Sequence, residues 1–180
     1  QSANVVTVKV LNDITPQVGY DYLMRFRFST LVDGNDPNYP GFSDIQLPTA
    51  LGGLTRGIYN LEMTAAYAAI ANDGVYTEPI LYTQILDHDG NVLLHNTPET
   101  ERIMKKSTAG LITDAMTGVI TRGTGTRARL SNMPVSGKTG TTTDNVDIWF
   151  SGYTPYYTCS VWGGYDTNKP MNNTVWHLTL

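Results

Sequence analysis

The stretch PVSGKTGTTTDNVDIWFSGYTPYYTCSVWGGY, residues 134–165, decides the fold class. It divides into three short runs rich in β-branched and aromatic residues: Pro134 to Thr142, Asp147 to Tyr153, and Tyr157 to Tyr165. Thr143 to Val146 and Thr154 to Tyr156 are the turns between them. Links this short predict an antiparallel meander, because parallel neighbours need a crossover of a dozen or more residues. Inside the first run, Gly137 and Gly140 flank Lys138 and Thr139, with Thr141 following. Glycines there suit a strand whose backbone is approached closely by another group. Lys138 offers a positive charge, and Thr139 and Thr141 offer hydroxyl donors, a set that can hold a carboxylate. On a sheet edge such a strand can also pair with an extended peptide. The plain alternative is a glycine-rich hairpin strand with an exposed lysine, and the tripeptide alone does not separate the two.

Upstream of this meander the pattern is helical. Val5, Val8, Leu11 and Val6, Val10, Ile14 recur at helical spacing. Pro16 can open a second helix through Tyr20, Leu23, Met24 and Phe28. Residues 32 to 57 are dense in Asp, Asn, Pro and Gly and read as a long loop, of the kind that is usually functional or wraps a site. Asn60 is expected to cap a helix over Leu61 to Ala71 that ends at Asn72-Asp73-Gly74. Ile80 to Asp87 and Asn91 to His95 read as a hairpin turning at Asp89-Gly90. Ser107 is expected to cap a further helix with a stripe of Leu111, Ile112, Ala115, Met116, Val119 and Ile120, stopping at Gly123. Helices followed by an antiparallel meander give an α+β layer architecture.

Composition narrows the chemistry. The 180 residues are 41% hydrophobic and 16% charged, ordinary for one globular domain. A net charge of −4 argues against a nucleic-acid partner, and Arg122, Arg127 and Arg129 read as a solvated loop. Cys159 is the only cysteine, so no intrachain disulfide forms. His88, His95 and His177 are scattered, so no zinc spacing exists and no metal or cofactor is expected. Gly137-Lys138-Thr139 echoes the end of a phosphate loop, but Asn132 stands where that loop needs its first glycine. No apolar run reaches the length of a membrane span.

A second motif, Ser2-Ala3-Asn4, stands just before the first helix. Serine and asparagine are ordinary capping residues, so alone it says little. A serine–asparagine element followed by Lys-Thr-Gly is, however, part of the signature of penicillin-recognising enzymes. Residues 138–166, KTGTTTDNVDIWFSGYTPYYTCSVWGGYD, closely resemble class A penicillin-binding proteins, as do residues 52–74, GGLTRGIYNLEMTAAYAAIANDG, and Gly123-Thr124-Gly125 at a helix end.

The resemblance implies a five-stranded antiparallel sheet with helices on both faces and a helical subdomain, with the active site between them. Residues 1–180 would then be the C-terminal part of one transpeptidase domain. By match of motif, Ser2 belongs to the proton relay on the helical wall. Asn4 would bond the base lysine and the substrate amide. Lys138 would support the relay from the opposite wall. Thr139, Gly140 and Thr141 would line the substrate site, the two hydroxyls holding the carboxylate of a D-Ala-D-Ala-like donor or a β-lactam. The Thr141 N–H would form half of the oxyanion hole. The implied partners are peptidoglycan stem peptides and β-lactams, at the extracytoplasmic face of a bacterial membrane, with a membrane-anchored parent.

One departure is serious. No Ser here is followed three residues later by Lys: Ser2 meets Val5, Ser107 meets Gly110, and Ser136 meets Thr139. The family's nucleophile and base, and the first sheet strands, would therefore lie upstream of Gln1, in a nicked or truncated protein whose N-terminal fragment is either a separate chain or missing. Alone, this chain is expected to be inactive and to expose a sheet edge and half a core. The final MNNTVWHLTL (residues 171–180) shows no helical stripe where the family usually ends in a helix, and its Asn172-Asn173-Thr174 sequon reads as incidental. A class A β-lactamase would need a glutamate after the Ser-x-Asn motif, yet the first glutamate is Glu62. A D,D-carboxypeptidase and a non-catalytic β-lactam sensor or peptidoglycan-binding module remain the rival readings.

Overall fold

The computed structural model describes residues 2–171. The valine-rich start folds as helix α1 (Asn4–Ile14), and Pro16 opens α2 (Pro16–Arg25) as its lack of a free N–H permits. Of the α1 stripe only Leu11 is buried, while Val5, Val6, Val10 and Ile14 stay 48–70% exposed. The second helix stops at Arg25, short of Phe28, because Arg27 turns to a left-handed φ of 60°. There its guanidinium pairs with Glu99 at 3.2 Å and lies over the Tyr76 ring.

The long loop is organised from within by one buried acid. Asp44 is fully buried, and its carboxylate accepts N–H bonds from Val32 and Thr55 and an O–H bond from Thr55, each at 2.8 Å. Its own N–H donates to the Val32 carbonyl at 2.7 Å. A short 3-10 turn, Leu47–Leu51, lies in the same loop and packs against α1.

Helix α3 (Asn60–Ala71) follows, with Ala65, Ala66 and Ala69 as its buried stripe. Asn60 does not cap it: Tyr59 holds that position, and the Asn60 amide instead donates to the Ser160 carbonyl at 3.2 Å, tying α3 to the meander. After Gly74, strand β1 (Val75–Thr77) pairs antiparallel with β4 (Thr100–Arg102), a ribbon absent from the sequence reading. Ala65, Ala69, Tyr76 and Ile103 form a core cluster beneath it with Phe26 against them. The predicted hairpin is present but narrower, as β2 (Gln84–Leu86) and β3 (Val92–His95). Helix α4 (Lys106–Arg122) has Lys105, not Ser107, at its cap position, and Gly123 ends it with an extended rather than left-handed backbone.

The meander forms as read: β5 (Ser136–Thr141), β6 (Asp147–Tyr153) and β7 (Thr158–Gly164), in that spatial order and antiparallel throughout. Both outer strands keep one unpaired edge among the described residues. Helix α3 packs on β6 and β7, and α4 on β5. Part-buried hydroxyl pairs fasten α4 to the sheet: Tyr153 of β6 bonds Thr113 and Ser136 of β5 bonds Thr117, both at 2.7 Å. The result is the expected α+β architecture of helices on an antiparallel sheet, with three strands of that sheet among the described residues. The expectation about the final helix falls on residues 172–180, outside the described residues.

Candidate active site

Strand β5 carries the lysine, and its geometry follows from its glycines. Across the β5–β6 ladder Gly137 faces Gly152, Lys138 faces Ser151, and Gly140 faces Trp149. A β-carbon on Gly137 would meet Phe150 Cζ and the Ser151 carbonyl oxygen at 2.8 Å. One on Gly140 would meet Trp149 Cβ at 3.2 Å. Both glycines therefore let β5 lie close against β6, and Lys138 is presented from a packed strand rather than a mobile loop.

Side chains alternate along β5, so Lys138 and Gly140 share one side and Thr139 and Thr141 the other. Lys138 Nζ donates to Ser2 Oγ at 2.5 Å and to the Thr139 carbonyl at 2.7 Å. The two motifs, 136 residues apart in sequence, thus meet through their polar atoms. Lys138 is half-buried, and desolvation pushes its ammonium below the usual 10.5, making its proton easier to give up. A lysine donating to a hydroxyl beside an open strand edge can hold negative charge and pass protons through that hydroxyl.

The other named residues are less tightly joined. Asn4 is the exposed first residue of α1, two positions beyond Ser2. Thr141 ends β5 opposite Ile148 and is exposed. Thr139 turns to a partner that the sequence reading did not name, its hydroxyl lying 2.7 Å from that of Thr124. The only clue to that contact was Gly123-Thr124-Gly125 at a helix end. Trp149 and Trp162 lie side by side across β6 and β7, ring centres 6.5 Å apart, and the Trp162 indole N–H donates to Asp147 at 3.0 Å. Among the described residues no three His, Cys, Asp or Glu side chains gather as metal ligands.

Comparison with known proteins gives this geometry a family. The model for the penicillin-binding protein transpeptidase domain matches residues 1–169. Penicillin-binding protein 1A of Clostridium acetobutylicum is 35% identical over 92% of the chain, which spans 20% of that protein. Penicillin-binding protein 4 of Bacillus subtilis is 36% identical over 92% of the chain and 25% of its own length. Penicillin-binding protein 1A from Haemophilus influenzae superposes with a TM-score of 0.80 at 21% identity, covering 96% of this chain and 30% of that one, a likeness of fold. Penicillin-binding protein 3 from Mycobacterium tuberculosis, solved with aztreonam, gives 0.71 at 26% identity over 91% of this chain and 42% of that one. The chain thus spans about a fifth to a quarter of the curated relatives it matches. With its Ser-x-Asn and Lys-Thr-Gly elements in contact and the family model matching nearly end to end, the chain belongs to the penicillin-binding protein transpeptidase domain family.

Proposed function

We propose that this chain supplies two walls of the active site of a peptidoglycan D,D-transpeptidase, completed by an upstream Ser-x-x-Lys segment of the same protein. The observation that carries the reading is the hydrogen bond from Lys138 Nζ to Ser2 Oγ. In the completed site the upstream serine attacks the carbonyl of the penultimate D-Ala of a stem peptide. Its proton passes to the base lysine, and the terminal D-Ala leaves as a free amine, protonated through Ser2. The Thr141 N–H stabilises the oxyanion, a preorganised donor where charge develops. Thr139 and Thr141 hold the terminal carboxylate, and Asn4 bonds the amide of the bound peptide. An acceptor amine then attacks the acyl ester, forming the cross-link and returning the proton to the serine.

A β-lactam enters the same route, but its leaving amine stays tethered, so the acyl-enzyme persists. The aztreonam complex of the mycobacterial relative supports that expectation. So does the lack of any glutamate before Glu62, which removes the deacylating base a class A β-lactamase would use. On this reading the site lies at the extracytoplasmic face of a bacterial membrane, on a membrane-anchored parent.

The test is acylation of the complete domain by benzylpenicillin. Lys138→Ala should slow it by about 10²–10³-fold, the usual cost of removing a group that stabilises charge in the transition state. Asn4→Ala should slow it while leaving the thermal midpoint unchanged. An unaltered rate in Lys138→Ala would remove the basis of the proposal.

A further inference from the structure

Gly123-Thr124-Gly125 is conspicuous in the sequence and has no part in the reaction as described so far. Its geometry explains the two glycines. A β-carbon on Gly123 would sit 2.8 Å from Val119 Cα and 2.9 Å from the Val119 carbonyl oxygen. One on Gly125 would sit 2.9 Å from Ile120 Cδ1 and 3.3 Å from Val119 Cγ1. The N–H groups of both glycines donate to the same Val119 carbonyl at 3.1 Å. The segment is thus folded hard against the last turn of α4, and Thr124 between them is exposed. Its hydroxyl lies 2.7 Å from Thr139 Oγ1, which joins this segment to the Lys-Thr-Gly strand.

A hydroxyl has one hydrogen to donate and two lone pairs to accept with. If Thr139 spends its hydrogen on Thr124, it has none for a substrate carboxylate. If Thr124 donates to Thr139, the Thr139 hydrogen is free to point at an anion, and the two bonds in series polarise one another. A bound carboxylate selects the second arrangement, because it accepts hydrogen bonds and cannot donate them.

We infer that Thr124 is a positioning residue that orients the Thr139 hydroxyl toward the substrate's terminal carboxylate, and so helps the site prefer anionic donors. This rests on the transpeptidase reading, in which Thr139 meets that carboxylate. Thr124 touches no reacting atom and acts only through its neighbour.

The test uses the complete transpeptidase domain with benzylpenicillin and its uncharged methyl ester. Thr124→Val keeps the shape and removes the hydroxyl; Thr124→Ser keeps the hydroxyl. For the free acid, Thr124→Val should lower the acylation efficiency about tenfold, the loss expected for one hydrogen bond in a charged network. The loss should fall on half-saturation rather than on the limiting rate. For the ester it should change little, and Thr124→Ser should behave as the unaltered domain with both. Equal slowing of acid and ester, or no change with either, would overturn the inference while leaving the transpeptidase reading intact. A complete unaltered domain that neither compound acylates would instead overturn that reading, and the inference with it. Matching thermal midpoints for the three proteins separate these outcomes from a folding defect.

Discussion

Asp44→Asn is a near-isosteric change, yet the geometry predicts a large loss of stability. Three donors converge on the Asp44 carboxylate: the Val32 N–H on one oxygen, and the Thr55 N–H and O–H on the other. A carboxylate accepts all three, whereas an amide presents one oxygen and one NH₂. The better orientation keeps the oxygen toward Thr55, which preserves two bonds and weakens them by removing the charge. The NH₂ then faces the Val32 N–H, donor against donor. Losing a hydrogen bond to a charged group costs about 1.5–3 kcal/mol, and leaving a buried donor unpaired costs about 1–3 kcal/mol. These overlap, so the expected net loss is about 2–4 kcal/mol. Because the loop that Asp44 organises packs on α1, residues 32–57 should also become the first site of proteolysis. Urea unfolding of the complete domain gives the first quantity, and limited proteolysis read by mass gives the second. A loss below about 1 kcal/mol with no new cleavage would refute the view that this acid holds the loop together.

Other perturbations follow from the same packing. Gly137→Ala forces a methyl into Phe150 and the Ser151 carbonyl, and should cost about 1–3 kcal/mol; an unchanged urea midpoint would contradict the close ladder. Burial raises the Tyr67 hydroxyl from 10.0 to about 12, with the nearby Tyr153 adding to it. Between those values the folded state keeps a proton that the unfolded chain has lost, so this contribution is complete below pH 10 and fades as pH rises toward 12. Tyr67→Phe should therefore flatten the alkaline fall in stability, by at most about 2.7 kcal/mol, in unfolding curves across that window. Lys138 has the opposite sign: its folded value is lowered, so the penalty for burying the ammonium lifts as pH rises toward 10.5. The stability difference between the unaltered domain and Lys138→Met should shift in favour of the unaltered domain over that rise, and a constant difference would refute the desolvation.

The meander was legible because its three runs are separated by turn-rich links, and β5 to β7 form within those runs. Helix α1 was legible for a similar reason, but the fate of its stripe was not. Periodicity reports that Val5, Val6, Val10 and Ile14 share faces of a helix, not whether a partner lies within the same chain. The β1–β4 ribbon escaped because each strand has three residues, too few for an alternating pattern to stand out. Capping was misread at Asn60 for a tertiary reason, since its amide serves the Ser160 carbonyl across the sheet. Asp44 resembles Asp33 and Asp36 in the same polar loop, and only three-dimensional convergence of donors separates it from them. Ser2, Asn4 and Lys138 were singled out by motif, and the structure brings Ser2 and Lys138 into contact, whereas the Thr124–Thr139 contact depends on where α4 ends relative to β5.

Intact mass spectrometry of the complete domain, before and after exposure to benzylpenicillin, tests the central claim most directly. A single penicilloyl adduct, mapping to the serine of an upstream Ser-x-x-Lys and forming far more slowly in Lys138→Ala, is the predicted result. No adduct on the complete domain, or an adduct that forms equally fast without Lys138, would contradict the role given to the walls that this chain contributes.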